Sequence, residues 1–125
     1  MKISKQDFEQ MQDKYMKEVK KGKPGKNQKK EDVTDQTDWI FFDRETLENI
    51  LAEADKDPKK GGIKFYLTEY TQETATTIHP ENPSTYVGRL ALVLSPVTAE
   101  SGEITVSDGN GNYYNKGVSC PPTCQ

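Results

Sequence analysis

Apolar side chains in the first twenty residues recur at the spacing of a single helical face. The stripe consists of Phe8, Met11, Tyr15 and Val19, and the positions between them are mostly polar or charged. Ser4 stands where a helix N-cap is expected, and Asp7 follows three residues later, at the position where a capping box has Glu or Gln. The pattern predicts an amphipathic helix over roughly residues 5–20, within an N-terminal unit of residues 1–20, that packs through one face.

The next segment, residues 21–36, has a different composition. Lysines alternate with Gly22, Pro24 and Gly25, and Val33 is its single apolar side chain. Such a segment buries too little apolar surface to offset the entropy lost on ordering. The composition therefore predicts a Lys-rich flexible linker.

A short apolar strand followed by a helix is predicted after the linker. The strand covers residues 37–42, Asp43 stands at the N-cap of the helix, and Glu45 lies in its first turn. One helical face is predicted to be buried and carries Leu47, Ile50, Leu51 and Ala54.

Two longer strands follow along the chain. In the first, residues 63–70, Ile63, Phe65 and Leu67 alternate with more polar side chains. In the second, residues 86–94, both faces are apolar, which is typical of a central strand.

Polar or weakly apolar segments flank the second of these strands. Residues 71–85 are predicted to form a long loop before it. Residues 103–114 are predicted to form a weak edge strand and a turn at Gly109 and Gly111, where glycine adopts positive φ without strain.

This order of elements predicts an α+β domain over residues 37–125 that includes a Cys-containing tail. A strand–helix–strand unit places its two strands parallel through a right-handed crossover. We therefore expect a small three- or four-stranded mixed β-sheet with one packed helix, preceded by the amphipathic N-terminal helix and the flexible linker.

The charge of the chain is mild overall but unevenly distributed. The formal net charge is −3 over 125 residues; residues 1–30 hold ten Lys and four acids, and residues 31–57 hold ten acids and two bases. The two regions either attract one another or are both solvated. No apolar leader or membrane span stands out, so we expect a cytoplasmic protein whose thiols are reduced.

A tyrosine-bearing sheet face is the best candidate for a binding surface. If the apolar side of residues 63–70 faces the helices, the opposite side is exposed and carries Lys64, Tyr66, Thr68 and Tyr70. Tyrosine is enriched at protein interfaces. The pattern favours a protein-binding or self-associating module, with a protein partner or a homo-oligomer, unless the tyrosines merely cover a half-buried sheet.

Cys120 and Cys124, the only two cysteines, support an alternative, a metal- or redox-linked module. With His79, the single histidine, they supply three metal ligands, whereas structural zinc usually has four. A local disulfide is disfavoured, because an extended Pro-Pro segment spans about 12 Å and bridged Cα atoms lie roughly 4.4–6.8 Å apart. A turn, for example one with a cis proline, would be needed for closure, and pairing with another chain stays open.

No arrangement of residues in the sequence indicates an enzyme. His79 has no neighbouring nucleophile or orienting group along the chain, which favours an ordinary loop histidine. The lysines of residues 17–30 lack interleaved arginines and aromatics, which is typical of a solvated segment rather than a nucleic-acid site. We expect no cofactor, no nucleic-acid partner and no membrane partner.

Several stretches taken together resemble a family of small bacterial proteins. They are "ISKQDFEQMQDKY", "DWIFFDRETLENIL", "GGIKFYLTEY", "GRLALVLSPV" and "CPPTC". The resemblance implies a leading helix, a strand–helix–strand–strand core and a CPPxC ending that belongs to the domain. Its motifs are structural, so it implies no activity and no functional residues.

Overall fold

The computed structural model describes residues 1–98 and 112–124. Its α-helices are α1 (Lys5–Lys17), α2 (Arg44–Leu51) and α3 (Gln72–Ile78). Its strands are β1 (Lys2–Ile3), β2 (Trp39–Phe41), β3 (Gly62–Glu69), β4 (Leu90–Val97), β5 (Tyr113–Tyr114) and β6 (Val118–Cys120). Single turns of 3₁₀ helix lie at Val19–Lys21 and Pro83–Thr85.

The strands form two separate antiparallel sheets. The larger has the order β1-β5-β4-β3, and the smaller consists of β2 and β6. The predicted α+β fold, its four-stranded sheet and its leading helix are confirmed. The predicted mixed character of the sheet is wrong, because β6 pairs with β2 outside the main sheet and leaves no parallel pair among the described strands.

The first two helices begin at the predicted capping residues. Ser4 Oγ accepts a hydrogen bond from Asp7 N at 3.0 Å, and Asp43 Oδ1 accepts one from Thr46 N at 2.8 Å. Each contact satisfies a backbone donor that has no partner within the helix. None of the helices in the described part of the chain is long and apolar enough to cross a bilayer.

The main core lies between one face of the four-stranded sheet and the helices α1 and α3. Its members include Phe8 and Met11 from α1, Ala75 and Ile78 from α3, and Ala91 and Val93 from β4. The apolar stripe predicted for the first helix is therefore what docks α1 on the sheet.

Helix α3 lies in the segment that was predicted to be a long loop. Thr71 Oγ1 accepts from Thr74 N at 3.1 Å, and Thr74 Oγ1 accepts from Thr71 N at 2.9 Å, which forms a reciprocal capping box. Threonine has weak helix propensity, so the sequence gives little sign of this helix. The cap and the burial of Ala75 and Ile78 stabilise it instead.

Residues 19–36, which we call the strap, run across the end of the sheet where β3 finishes. Gln36 Nε2 donates to Gly88 O at 3.1 Å. A side chain on Gly25 would collide with the Gly88 carbonyl, so the close approach of strap and sheet requires glycine there. The segment predicted as a linker thus contacts the domain at Gly25 and at Gln36.

Two smaller predictions also differ from the structure. The segment that contains Gly109 and Gly111 lies outside the described residues, but β5 is an inner strand between β1 and β4 rather than an edge strand. In α2, Ile50 is buried as expected, whereas Leu51 is exposed.

Candidate functional site

The sheet face that was predicted to be exposed is buried. Thr68 and Tyr70 are almost completely inaccessible, and Tyr66 is half-buried against the main core. Lys64, at the start of this row, is partly exposed, and its amine lies 5.3 Å from the centre of the Tyr66 ring. The predicted outward orientation of Tyr66, Thr68 and Tyr70 is therefore wrong.

Helix α1 covers this face because aromatic and hydroxyl side chains pack well beneath it. The Phe8 ring stacks on Tyr113 with centroids 4.4 Å apart and meets Tyr66 edge-on at 4.7 Å. Thr68 Oγ1 donates to Ala91 O at 2.9 Å, so burial leaves its hydroxyl satisfied. Alternation along β3 separated its two faces, but it did not decide which face the helix covers.

Tyr70 belongs to a buried chain of hydrogen bonds that also includes His79. The Tyr70 hydroxyl donates to Asn115 Oδ1 at 2.9 Å and lies 3.1 Å from His79 Nε2. Asn115 Nδ2 continues the chain to Leu92 O at 2.6 Å. The His79 ring stacks on Tyr86 with centroids 3.6 Å apart. These contacts join the end of α3 to the sheet.

His79 is therefore a buried packing residue and not the ordinary loop histidine that was predicted. Burial, with a smaller contribution from Lys116, lowers the pKa of its imidazole to about 4 against the opposing charge of Glu81. The ring is neutral at neutral pH. A neutral ring enclosed by Tyr70 and Tyr86 favours a structural role.

Cys120 and Cys124 form a disulfide, so the prediction that a local bridge is disfavoured is wrong. Their Cα atoms lie 4.7 Å apart, within the roughly 4.4–6.8 Å found for bridged cysteines. The intervening chain turns back instead of extending, because Thr123 N donates to Ser119 O at 2.9 Å. The Cys120–Pro121 and Pro121–Pro122 peptide bonds are both cis, unlike the extended polyproline II conformation assumed from the sequence.

The alternative metal site on Cys120, Cys124 and His79 has no geometric support in the described residues. The two sulfur atoms are bonded to each other, whereas a metal ligand is a free thiolate. Across residues 1–98 and 112–124, no three His, Cys, Asp or Glu side chains come together as a metal-binding group. The oxidised pair therefore offers redox chemistry rather than metal ligands.

An exposed apolar surface lies elsewhere, on the β2–β6 pair. We call it the ribbon and define it by Trp39, Phe41 and Val118, which are 41%, 56% and 43% exposed. Phe41 lies opposite Val118, and Trp39 lies opposite Cys120. Because paired residues of antiparallel strands point to the same side, these side chains share one face.

The ribbon borders an open groove of about 580 Å³. The groove is lined by Trp39, Ile40, Phe41, Val118 and Thr123. Thr123 lies within the loop that the Cys120–Cys124 disulfide closes, so a covalent bond holds one wall of the groove beside the aromatic side chains.

Both ends of β2 are acidic. The exposed acids of this stretch are Asp35, Asp38, Asp43, Glu45 and Glu48. Arg44 is the exposed base among them, and its guanidinium lies 3.9 Å from the Glu48 carboxylate. The apolar ribbon is therefore flanked by net negative charge.

A second exposed apolar pair lies on β3, the edge strand of the main sheet. Phe65 and Leu67 are each 53% exposed, so their predicted burial against a helix is wrong. They lie opposite Leu94 and Leu92 of β4. Leu94 is buried and α2 packs against β4, whereas Phe65 and Leu67 of β3 stay exposed at the edge of the sheet.

The ribbon was missed as a site because its residues were assigned to a strand of the main sheet. One signal was available: the run "WIFF" is the most aromatic stretch of the chain, and acids stand on both sides of it. Because Asp and Glu side chains are almost always exposed, acids on both sides of this run favour a position near the surface.

Comparison of the chain with known protein families, with curated proteins and with solved structures found no match. The resemblance to a bacterial family therefore stays a prediction.

Proposed function

We propose that this protein acts by binding another protein through the ribbon. The observation that carries the proposal is the exposure of Trp39 and Phe41 on one face, beside a groove. Aromatic side chains, and tryptophan above all, supply much of the binding energy at protein interfaces. Apolar side chains gathered on a surface are typical of interaction sites.

The charge and the strand edges indicate the kind of partner. Acids at both ends of β2 favour a partner segment in which lysine or arginine flanks apolar side chains. Within the described part of the chain, β2 and β6 each pair with one strand only, so each keeps an edge at which an extended segment can add. The proposed ligand is therefore an extended apolar segment with basic ends.

Trp39 gives a direct assay, because it is the single tryptophan of the chain. Two synthetic peptides with the same alternating apolar centre, one flanked by lysines and one by glutamates, are titrated while Trp39 emission is recorded. The Lys-flanked peptide is expected to shift the emission to the blue as the indole leaves water, and the Glu-flanked peptide is expected to bind at least tenfold more weakly, about 1.4 kcal/mol.

Matched variants locate the contact. Phe41→Ala is expected to weaken binding of the Lys-flanked peptide about tenfold or more, as at an interface hot spot. Met16→Ala removes a similarly exposed apolar side chain from α1 and is expected to leave binding unchanged. Equal binding by both variants and by both peptides would contradict the proposal.

Self-association through the same surface is the other form of this proposal. Sedimentation equilibrium of the wild type and of Phe41→Ala separates the two forms. A wild-type dimer that Phe41→Ala reduces to a monomer indicates that a second copy is the partner. A wild-type monomer that binds the Lys-flanked peptide indicates a different protein.

A redox-linked function is a second candidate, and the disulfide is the observation that favours it. Cys124 is exposed while Cys120 is buried, so an external dithiol can attack the Cys124 sulfur. That exchange oxidises the dithiol to its own disulfide and leaves Cys120 and Cys124 as two thiols. Equilibration with dithiothreitol buffers, followed by thiol titration, measures the potential; a groove that binds peptide equally in both states would exclude a linked function.

Neither a catalytic role nor a cofactor nor a nucleic-acid partner is part of this proposal. A cytoplasmic location is retained as a proposal, and it predicts two free thiols in the cell, because disulfides persist mainly in oxidising compartments. Alkylation of the protein in intact cells, followed by mass spectrometry of the peptide that contains Cys120 and Cys124, tests that location against an oxidising one.

A further inference from the structure

Glu69 is a fully buried carboxyl group at the end of β3, beneath the strap. Its Oε1 atom accepts from Val19 N at 3.2 Å. Its Oε2 atom has no hydrogen-bond donor among the described residues. The strap lies close to this atom at Gly25, because a Cβ added to Gly25 would be only 3.1 Å from it. An ionised carboxylate with a single donor is strongly unfavourable in such a place.

A second carboxyl group, that of Glu18, lies close enough to Glu69 for the two to interact electrostatically. Glu18 Oε1 accepts from Lys26 N at 2.7 Å, and Glu18 Oε2 accepts from Lys14 Nζ at 2.9 Å. Because two ionised carboxylates only accept hydrogen bonds and repel each other, their close approach in a buried place favours a proton on one of them. The donors around Glu18 stabilise its ionised form, so the proton resides on Glu69.

The electrostatics agree with this placement of the proton. Burial and the neighbouring Glu18 raise the pKa of Glu69 to about 8, although Val19 N and Lys14 oppose the shift. Burial also acts to raise the pKa of Glu18, but hydrogen bonds from Lys14 and Lys26 outweigh it, so that pKa is lowered. Lys14 is the cation that faces the pair.

We propose that Glu18 and Glu69 form a proton-dependent latch that holds the strap against the end of β3. With the proton in place, the pair joins the end of α1 and the backbone of Val19 and Lys26 to the sheet. When the proton is lost, two like charges share a buried contact and repel each other. The strap then detaches at this end.

The body of α1 is expected to stay docked when the latch opens. Phe8 and Met11 pack into the main core near the other end of the helix and carry no charge. The opening is therefore local, and it occurs at a lower free energy than global unfolding.

The direction of the pH dependence follows from proton linkage. The folded-state pKa of Glu69, about 8, lies above the value of about 4.3 expected in an unfolded chain. The latched state binds more protons than the open state between these values. Its stabilisation is complete below the lower value and is lost as the pH rises towards and through the upper one.

Hydrogen exchange at the two backbone donors tests the latch. Protection of the Val19 and Lys26 amides, corrected for intrinsic exchange, is measured on the millisecond scale at pH 6.5 and pH 9. We expect a roughly thirtyfold loss of protection in the wild type, because proton linkage changes the opening equilibrium about tenfold per pH unit from pH 6.5 up to the Glu69 pKa of about 8. Amides of β4 serve as the internal control.

Matched variants separate the latch from general alkaline effects. Glu69→Gln is neutral at both pH values and is expected to keep protection constant. Glu73→Gln, at an exposed position of α3, is expected to keep the wild-type dependence. The carboxyl carbon-13 signal of Glu69 in the unmodified protein gives a measurement that does not depend on any variant folding, and it is expected to titrate near pH 8.

Three results would overturn the latch. They are constant wild-type protection between pH 6.5 and 9, titration of Glu69 near its ordinary value, and a loss of protection at pH 6.5 on adding a chelator. The last result would show that a bound metal ion, and not a proton, bridges the two carboxylates.

Discussion

The face of the main sheet beneath α1 and the ribbon on β2–β6 are both aromatic, yet they differ in burial and in what surrounds their side chains. Beneath α1, Tyr66 and Tyr113 pack around Phe8, and the hydroxyls of Thr68 and Tyr70 have hydrogen-bond partners inside the protein. On the ribbon, Trp39 and Phe41 face solvent between acidic ends.

Aromatic content alone therefore does not mark a binding surface. A tyrosine can be buried at little cost when its hydroxyl has a partner, as that of Tyr70 has in Asn115. Trp39 and Phe41 have no helix over them in the described part of the chain, and their exposure is what makes them available to another protein.

The contact between α1 and the sheet is tested by Met11→Ala, for which we expect the greatest change in the free energy of unfolding. Met11 is fully buried in the main core, so Met11→Ala is expected to lower the free energy of unfolding by about 2–5 kcal/mol through lost contacts and a residual cavity. Urea denaturation measures the change. Met16→Ala, at an exposed position of the same helix, is expected to change it by less than about 0.5 kcal/mol. Similar effects of both substitutions would mean that α1 is not docked as described.

The polar chain beneath the sheet is tested by Tyr70→Phe. Loss of the hydroxyl leaves Asn115 Oδ1 and His79 Nε2 without their buried partner, and we expect a loss of about 1–3 kcal/mol in the free energy of unfolding. Tyr15→Phe is the control, because the Tyr15 hydroxyl has no partner within the described residues. An unchanged free energy of unfolding in Tyr70→Phe would show that Asn115 and His79 do not need this hydroxyl as a partner.

Lowering the pH tests His79 in the same buried region, and the expected change in the free energy of unfolding is smaller. The pKa of His79 is about 4 in the fold, because of burial, against about 6.5 in an unfolded chain. The unfolded state then binds more protons between these values, so the contribution of His79 to stability is present above about pH 6.5 and is lost as the pH falls towards 4.

His79→Phe removes this pH dependence, and His79 is the single histidine of the chain. Urea denaturation at pH 7, 5.5 and 4 is expected to show the wild type losing stability relative to the variant as the pH falls. Parallel curves for the two proteins would argue against a neutral, buried imidazole.

The ribbon is tested by Phe41→Ala, for which we expect the least change in stability. Phe41→Ala is expected to change the free energy of unfolding by less than about 0.5 kcal/mol, because Phe41 is 56% exposed. The same substitution is expected to weaken peptide binding, as described above. A large loss of stability would show that Phe41 packs in the core and is not part of an exposed binding surface, so that the two regions would no longer differ.

Local features were predictable from the sequence because they depend on neighbouring residues. The α1 stripe and the caps at Ser4 and Asp43 follow from helical spacing and from side chains that reach their own backbone. The same local rules missed α3, whose threonines have weak propensity and whose stability comes from its cap and its contact with the core.

The candidate sites were less predictable because they depend on contacts between distant parts of the chain. Alternation along β3 defines two faces, but only the docking of Phe8 decides that Tyr66 is covered and Phe65 is not. Likewise, Glu18 and Glu69 are far apart in sequence, and no local pattern predicts that they lie close together.

Hydrophobic periodicity and capping residues were enough to predict the α+β class, the leading amphipathic helix and the central position of the strand after residue 89. Contacts between distant segments set the pairing of β2 with β6, the Cys120–Cys124 bridge and the exposure of the ribbon. Periodicity records which side chains share a face, whereas burial and bridging depend on what the rest of the chain places against that face.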